Sequence, residues 1–572
     1  MLQAIIRRLK REKRGISTVI VVMLSLVLVV IIVGNVVLWS YQMNQLDIDR
    51  MQEIVSLTNV TCITRSSWFT AQSEYSISVG SRLSGTYTDT KSLDGFYETF
   101  REEPQGVNVY NPSDYVLGGS TSYVSGNITN LNSNDNIYMN FRSYVSGSSA
   151  TNKTDAFVAY RDSITTLDTP KERTWTGASA TWSSQSELPT SDSPVRWVRV
   201  AYCPLESRSF EKIVVTLSDD GYLDAYVWNG ASWIVTNDVG FVGTTENARR
   251  PYDVVYESAN GRAMLVYGIS STDTTRDLAY RIWTFGTGWG AEAYIDITAL
   301  SGDLQARWVE LAAKPNSNEI TLISSMFVGS NYYAVGLVWN GSAWGNYRTH
   351  TTTLQETATY ENIAVAYETS SGQSHSIFIS AVRRMSWARW DGSAWTSGTT
   401  GNILGFGIYF RWCTLKANPV ATSNELMATW VTSNTAVWTL RWDGSAWAAN
   451  PASAHDTAVD TNTRRCADFE WEPTGSKGLL VWGTAAGQIA YKTYTSPNTW
   501  GTQQNPPMGT YAHSWVQLTR NTRTVSGDTL IIGLVLEATA FDLGAISWDG
   551  TAFTMIGAST ITADTNTDAY EC

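Results

Sequence analysis

Trp339-Asn340-Gly341-Ser342-Ala343-Trp344 is the stretch that decides how this chain folds. Asn-Gly accepts positive φ and closes a tight hairpin turn, and a Trp on each side can pack in a neighbouring layer. The unit recurs as Trp228-Asn229-Gly230-Ala231-Ser232-Trp233 and as Trp390-Asp391-Gly392-Ser393-Ala394-Trp395. It returns as Trp442-Asp443-Gly444-Ser445-Ala446-Trp447 and as Trp548-Asp549-Gly550-Thr551-Ala552-Phe553. Degenerate copies stand at Trp283–Trp289 and Tyr494–Trp500. From Trp228 the first aromatics fall at Trp283, Trp339, Trp390 and Trp442, a period of roughly 50–56 residues.

Two further strand-like runs precede each hairpin, for example Arg196-Trp197-Val198-Arg199-Val200-Ala201-Tyr202 and Lys212-Ile213-Val214-Val215-Thr216-Leu217. Two strands plus a hairpin make a four-stranded unit, and such units repeating every ~40–55 residues mark propeller blades. A row of β-sandwiches would need about 100 residues per domain. Complete units span 195–562 and number seven. One more hairpin, Trp175-Thr176-Gly177-Ala178-Ser179-Ala180-Thr181-Trp182, either completes an eighth blade or braces the ring closure. The expected fold is mainly β: an N-terminal transmembrane helix and stalk, then a seven-bladed propeller with eight as the alternative.

Composition agrees. The 572 residues include 25 Trp, 28 Tyr and 43 Gly, and only 16% are charged, which suits short strands and tight turns. A net charge of −12 argues against a nucleic-acid partner. The charge is uneven, however. Arg7, Arg8, Lys10, Arg11, Lys13 and Arg14 crowd the N-terminus against Glu12 alone, so the body is acidic and the tip basic.

Ile16 to Leu46 holds no Asp, Glu, Lys or Arg, and Val19–Trp39 is almost wholly aliphatic. At about 1.5 Å per residue that run spans roughly 31 Å as a helix, enough to cross a bilayer. Trp39 and Tyr41 sit where interfacial aromatics belong, and the positive-inside rule puts residues 1–14 in the cytoplasm and the rest outside. Met43, Leu46, Ile54 and Val55 continue a helical spacing, read as a stalk.

Lys13-Arg14-Gly15-Ile16-Ser17-Thr18-Val19 resembles the class III signal of archaeal type IV pilins. The resemblance covers about the first 45 residues. It implies cleavage between Gly15 and Ile16 by a prepilin peptidase, survival of the helix in the mature chain, and pilin-like subunits as partners. Bacterial pilins usually carry Glu at the fifth mature position; Ile20 stands there, as in many archaeal members. The expected organisation is 1–15 signal segment, 16–46 membrane helix, 47–106 stalk and connector, 107–185 a small β region or first blade, and 186–572 propeller.

The Ser547–Phe553 turn is similar to the Asp-box of sialidase propellers, but Gly follows Asp directly and the turn is one residue shorter. Arg199, Arg383, Arg384, Arg411, Arg464 and Arg465 are candidates for the arginine cluster such enzymes need, against the simpler expectation that they line the channel or cap strand ends. His350, His375, His455 and His513 are isolated, with no zinc spacing, nucleophile elbow or P-loop in the chain. Ser218–Asp224 is a weak calcium candidate; no other cofactor is expected. Cys62 with Cys572, and Cys413 with Cys466, are candidate disulfides that spacing does not settle. Asn59, Asn127, Asn152 and Asn340 head sequons. The leading expectation is a membrane-anchored, pilin-like surface protein displaying a propeller for adhesion or glycan binding. A surface glycosidase and a purely structural envelope or filament component are the alternatives.

Overall fold

A computed structural model describes parts of a helix between residues 24 and 35 and the backbone of strands between residues 60 and 144. From Ala156 onward it describes the chain with breaks between strands. The chain divides into two units, Met1–Gly147 and Ser148–Cys572.

In the first unit, five antiparallel strands form one sheet in the spatial order Val60–Ser66, Thr70–Ser78, Asn136–Tyr144, Phe96–Glu103 and Gly106–Asn108. A second, two-stranded sheet pairs Thr86–Asp89 with Val124–Asn127. The expected connector over 47–106 therefore contains sheet strands. Of the expected membrane helix, helical backbone is described at 24–29, 32, 33 and 35. No helix of the described residues is long and apolar enough to cross a membrane. Gly15, Ile16, Asn59, Asn152 and Cys572, the stalk residues Met43, Leu46, Ile54 and Val55, and the side chains of Cys62 and Asn127 lie outside the described residues.

The second unit is an eight-bladed β-propeller, one blade more than the favoured reading. Its innermost strands, blades 1 to 8 in order, are Thr565–Glu571, Val195–Tyr202, Tyr252–Tyr256, Leu304–Ala313, Ile363–Tyr367, Phe410–Ala417, Ala467–Trp471 and His513–Arg520. Each contacts the next around the ring, and the last contacts the first. Blade 1 is composite. Ala156–Asp162, Pro170–Thr176 and Thr181–Trp182 are its outer three strands, and the C-terminal Thr565–Glu571 supplies its innermost, with Tyr570 opposite Tyr160. The Trp175–Trp182 hairpin thus completes an eighth blade, and the boundary expected at 185/186 cuts that blade ahead of Ser186–Glu187, which also pairs with Pro170–Thr176. The C-terminal Thr-Asn-Thr-Asp-Ala-Tyr-Glu has no apolar run to advertise a strand, so only the ring reveals it.

Burial is deepest in the second strands and falls toward the rim, while the innermost Val195–Tyr202 carries two exposed residues. Second strands such as Lys212–Ser218 and Leu426–Thr432 are buried at every residue, because a blade is covered on both faces by its neighbours. Outer strands such as Trp395–Thr399 have no buried residue. The antiparallel meander fixes two faces. Links between blades and between second and third strands gather on the face where the inner strands begin, here the entry face. The Asp-Gly hairpins gather on the other.

Candidate functional site

Four innermost strands share a local irregularity. The ladder skips Arg196 in blade 2, Arg307 in blade 4, Arg411 in blade 6 and Ser514 in blade 8. A bulge re-aims the residues around it. The next residue is each time a tryptophan: Trp197, Trp308, Trp412 and Trp515. These rings meet edge to face, with centroids 5.5 Å apart for Trp197–Trp308, 5.8 Å for Trp308–Trp412 and 5.7 Å for Trp412–Trp515. Side chains from alternate blades can touch only by reaching the axis. The tetrad therefore closes the channel near its entry end, and none of the four is more than 6% exposed. Edge-to-face packing suits the ring quadrupoles.

The blades between hold the tetrad in register. The residue just ahead of the inner strand accepts, through its carbonyl, the N–H of the residue after the tryptophan. Val309 donates to Arg250, Cys413 to Glu361 and Val516 to Arg465. Arg250 is the hub of the buried charge. Its Nη2 pairs with Glu310 at 2.9 Å and with Glu361, and its Nη1 donates to the Val309 carbonyl at 2.7 Å. Asp253 accepts from Arg199 Nε at 2.8 Å and from the Leu311 N–H at 2.8 Å. On the far side of the ring, Asp468 accepts from Thr414 Oγ1 at 2.7 Å and from the Leu518 N–H at 2.9 Å. Glu470 is held by Lys416 at 3.2 Å and by Arg520 at 3.0 Å.

Glu310 and Glu361 meet at Arg250, whose Nη2 pairs with both. Burial and the Glu361 charge raise Glu310 well above the carboxylate range. Glu361 is pulled the other way, because Arg250 and Arg465 outweigh its burial. The pair thus shares a proton as a single titrating unit. It resembles an acid/base pair in its split titration, but Arg250 Nη2 is paired with both carboxyls and both acids are mostly buried.

Around the entry end, within a few residues of where the inner strands of blades 2 to 7 begin, stand Arg196, Arg249, Arg307, Tyr360, Arg411 and Arg464. The Arg411 guanidinium lies 4.5 Å over the Tyr360 ring, which itself meets Trp412 edge-on at 5.8 Å. Arg307 lies 5.2 Å over Phe327, and Arg465 4.8 Å over Trp515. Arg196 pairs with Asp219. Of the arginines named as candidates from the sequence, Arg411 and Arg464 fall in this set, while Arg199 and Arg465 belong to the buried network. Arg383 and Arg384 sit apart, in the blade 5 loop; Arg383 donates to the Leu404 carbonyl at 3.0 Å. The doublet Arg-Trp at 196, 307 and 411 was a visible signal for the tetrad, recurring at every second blade. The hairpin period masked it.

The repeat turns are structural. Gly230, Gly341, Gly392, Gly444 and Gly550 take φ between 93° and 96°. Each is the first of two central turn residues, so Asn or Asp caps the turn and does not stand inside it. Asp391 Oδ1 accepts from the Ser393 N–H, Ser393 Oγ and the Ala394 N–H, all at 2.8 Å; these bonds, Ala394 first, hold its carboxyl below the usual range. Asn229, Asn340, Asp443 and Asp549 repeat the arrangement. Asn340, the one sequon asparagine with a described side chain, is exposed with its Oδ1 engaged in this turn.

The first hairpin tryptophan latches onto the preceding blade. Trp339 Nε1 donates to Glu257 at 2.8 Å, Trp442 to Glu368 at 2.6 Å and Trp548 to Glu472 at 2.9 Å.

The expected Cys413–Cys466 bridge is corrected: both are buried free thiols. Cys413 packs in the apolar layer between blades 5 and 6, while Cys466 packs in the central core and its Sγ lies 3.0 Å from the Thr461 carbonyl. Among the described residues no group of three or more His, Cys, Asp or Glu is arranged to hold a metal. In the calcium candidate, Asp224 is buried and accepts instead from the Asp238 N–H at 2.9 Å.

No family model matches the chain, and no curated protein matches it. Among solved structures it is similar to BP39L lectin from Burkholderia pseudomallei, with 10% identity over 64% of this chain and 100% of that one, at a TM-score of 0.45. The six-bladed fungal lectin of Aleuria aurantia aligns at 12% identity over 65% and 99% of the two chains, TM-score 0.35. AofleA from Arthrobotrys oligospora aligns at 10% over 64% and 88%, TM-score 0.34. Similarity at this level carries no argument about ligand.

Proposed function

We propose that this chain is a surface-anchored binding protein whose propeller engages a ligand, a glycan being the leading class, at the entry face around the axis. The observation that carries the reading is the contrast along that axis. The tryptophan tetrad shuts the channel, so the paired carboxylates beneath it are walled off and locked to Arg250, while guanidinium and aromatic groups gather above it. Such groups hold ligands by stacking and charge-assisted hydrogen bonds without reacting. Anchoring is the second half of the proposal. An N-terminal helix whose described residues Leu24, Leu26–Val29, Ile32 and Val33 are each more than half exposed has the character of a lipid-facing segment. Cleavage after Gly15 and a place among pilin-like subunits go with it, with the propeller outside the cell.

Probing the full-length chain in detergent against a glycan array, with a parallel assay for released sugar, tests the binding half. Binding without turnover supports it. Turnover abolished by Glu310→Gln replaces it with the glycosidase reading. Sequencing the mature N-terminus from native membranes tests the anchor: a start at Ile16 supports pilin-type processing, and a start upstream of Gly15 removes it.

A further inference from the structure

We infer that Phe406 is the platform on which the entry face stacks a neutral pyranose ring. This rests on the reading of the propeller as a glycan-binding module, and it names the side chain that makes the contact.

The first observation is exposure. Phe406 is 91% exposed, and the next large apolar side chain among the described residues of the propeller, Tyr202, stands at 44%. Lone exposed apolar side chains are ordinary on protein surfaces, so exposure alone decides nothing.

The second observation is that the loop beneath the ring is fastened. Arg383 grips it on both sides of Phe406. The Arg383 carbonyl accepts the N–H groups of Ile403 at 2.8 Å and Leu404 at 3.1 Å, and the Arg383 N–H donates to the Ile408 carbonyl at 3.1 Å. Its Nε donates to the Leu404 carbonyl at 3.0 Å. Leu404 is buried in the apolar layer between blades 5 and 6, with Ile403 and Ile408 packed against that layer. The loop thus turns three apolar side chains inward and one outward. Gly405 and Gly407 flank the outward one, and Gly407 takes a φ of 76°. Fastened in this way, the ring is held off the core, with no side chain on the residue before or after to cover it.

The third observation is position. The loop joins the outermost strand of blade 5, Trp395–Thr399, to the innermost strand of blade 6, Phe410–Ala417, so it lies on the entry face. Phe406 stands four residues ahead of Phe410.

A single ring points to a sugar. Docking on a bilayer takes a broad apolar face or basic groups beside it, and a hot spot for a protein partner sits at the centre of a wider apolar patch. The exposed neighbours of Phe406 are Gly401, Asn402, Gly405 and Gly407, which supply neither. One face of a pyranose presents C–H groups over about the area of one phenyl ring, and the negative face of an aromatic ring attracts them. The contact needs no charge, so the ligand it selects is neutral.

The test puts the full-length chain, in detergent micelles, on an array carrying both neutral and acidic glycans. The inference expects neutral glycans to bind, and Phe406→Ala to weaken that binding by about tenfold or more. The melting temperature is expected to stay unchanged, since the ring buries almost nothing. Phe406→Tyr keeps a flat aromatic face and is expected to bind as the wild type does. Phe406→Leu is apolar without being flat and is expected to lose binding as alanine does. Equal binding by wild type and Phe406→Ala overturns the inference and leaves the binding role standing. So does full binding by Phe406→Leu, and so does a wild-type chain that binds acidic glycans alone. A chain that binds no glycan of either kind sinks both readings.

Discussion

At the scale of single residues, the axis is a buried ionic lattice in which each acid has a different task. Glu310 already carries the shared proton, so Glu310→Gln mimics its native state and is expected to change stability by less than about 1 kcal/mol at pH 7. Glu361 carries the charge that balances Arg250 and Arg465. Glu361→Gln strands those cations in the core and is expected to cost about 3–5 kcal/mol. Urea denaturation of both variants checks the asymmetry, and equal losses would disprove the assigned protonation. None of this was legible in the sequence. Arg250, Glu310 and Glu361 are about fifty or sixty residues apart from one to the next, and only ring closure brings them together. The capping role of Asn and Asp was partly legible. The Asp-Gly pair announced a hairpin, but the positive φ falls on Gly alone and the carboxylate is spent on the turn's own N–H groups.

At the scale of elements, the blades are pinned to one another by tryptophan on one side and histidine on the other. His350 stacks on Phe378 and meets Trp395 of blade 5 edge-on at 4.9 Å. His375 meets Trp447 of blade 6, and His455 meets Trp500 of blade 7 at 4.3 Å. Both ring nitrogens of His350 are buried without a hydrogen-bond partner, and its ring fills the space over Gly336, where a Cβ would lie 2.3 Å from Nε2. Burial, with Arg348 near one and Lys492 near the other, pushes His350 and His455 down to about 3. The folded protein keeps them neutral while the unfolded chain protonates near 6.5, so stability is lost as pH falls below that value. Between pH 7 and pH 5 each is expected to cost roughly 2 kcal/mol. His350→Phe keeps a ring in place and is expected to flatten that slope; an unchanged slope of urea midpoint against pH would contradict it. The Trp442 latch gives a companion prediction. Glu368 accepts from Trp442 Nε1 at 2.6 Å and pairs with His375 at 2.8 Å, so Glu368→Ala leaves two buried polar groups unmatched and is expected to cost about 2–4 kcal/mol. Isolated histidines gave no sign of this in the sequence, because each partner tryptophan belongs to the next repeat.

At the scale of the whole molecule, the repeat hairpins revealed the propeller, and the count fell one short because the ring closes through the chain's last described strand. Blade 1 shares its sheet between Thr565–Glu571 and Ala156–Asp162. Truncation after Asp564 is expected to open the ring between blades 8 and 2 and replace a single cooperative melt by a broad one, readable by calorimetry; an unchanged transition would contradict the closure. A second period also lay hidden. Tetrad tryptophans come from every second blade, so the ring alternates two kinds of inner strand, one that plugs the axis and one that braces the plug. That division seals the interior beneath the entry face.

Hydrogen–deuterium exchange of the full-length chain, with and without its best-binding array glycan, locates the bound ligand. A ligand at the entry face is expected to slow exchange where the inner strands begin, around Arg249–Tyr252, Leu304–Trp308, Tyr360–Ile363 and Phe410–Trp412. Slowed exchange confined to the Asp-Gly hairpins of the opposite face, with the entry face unchanged, would contradict it.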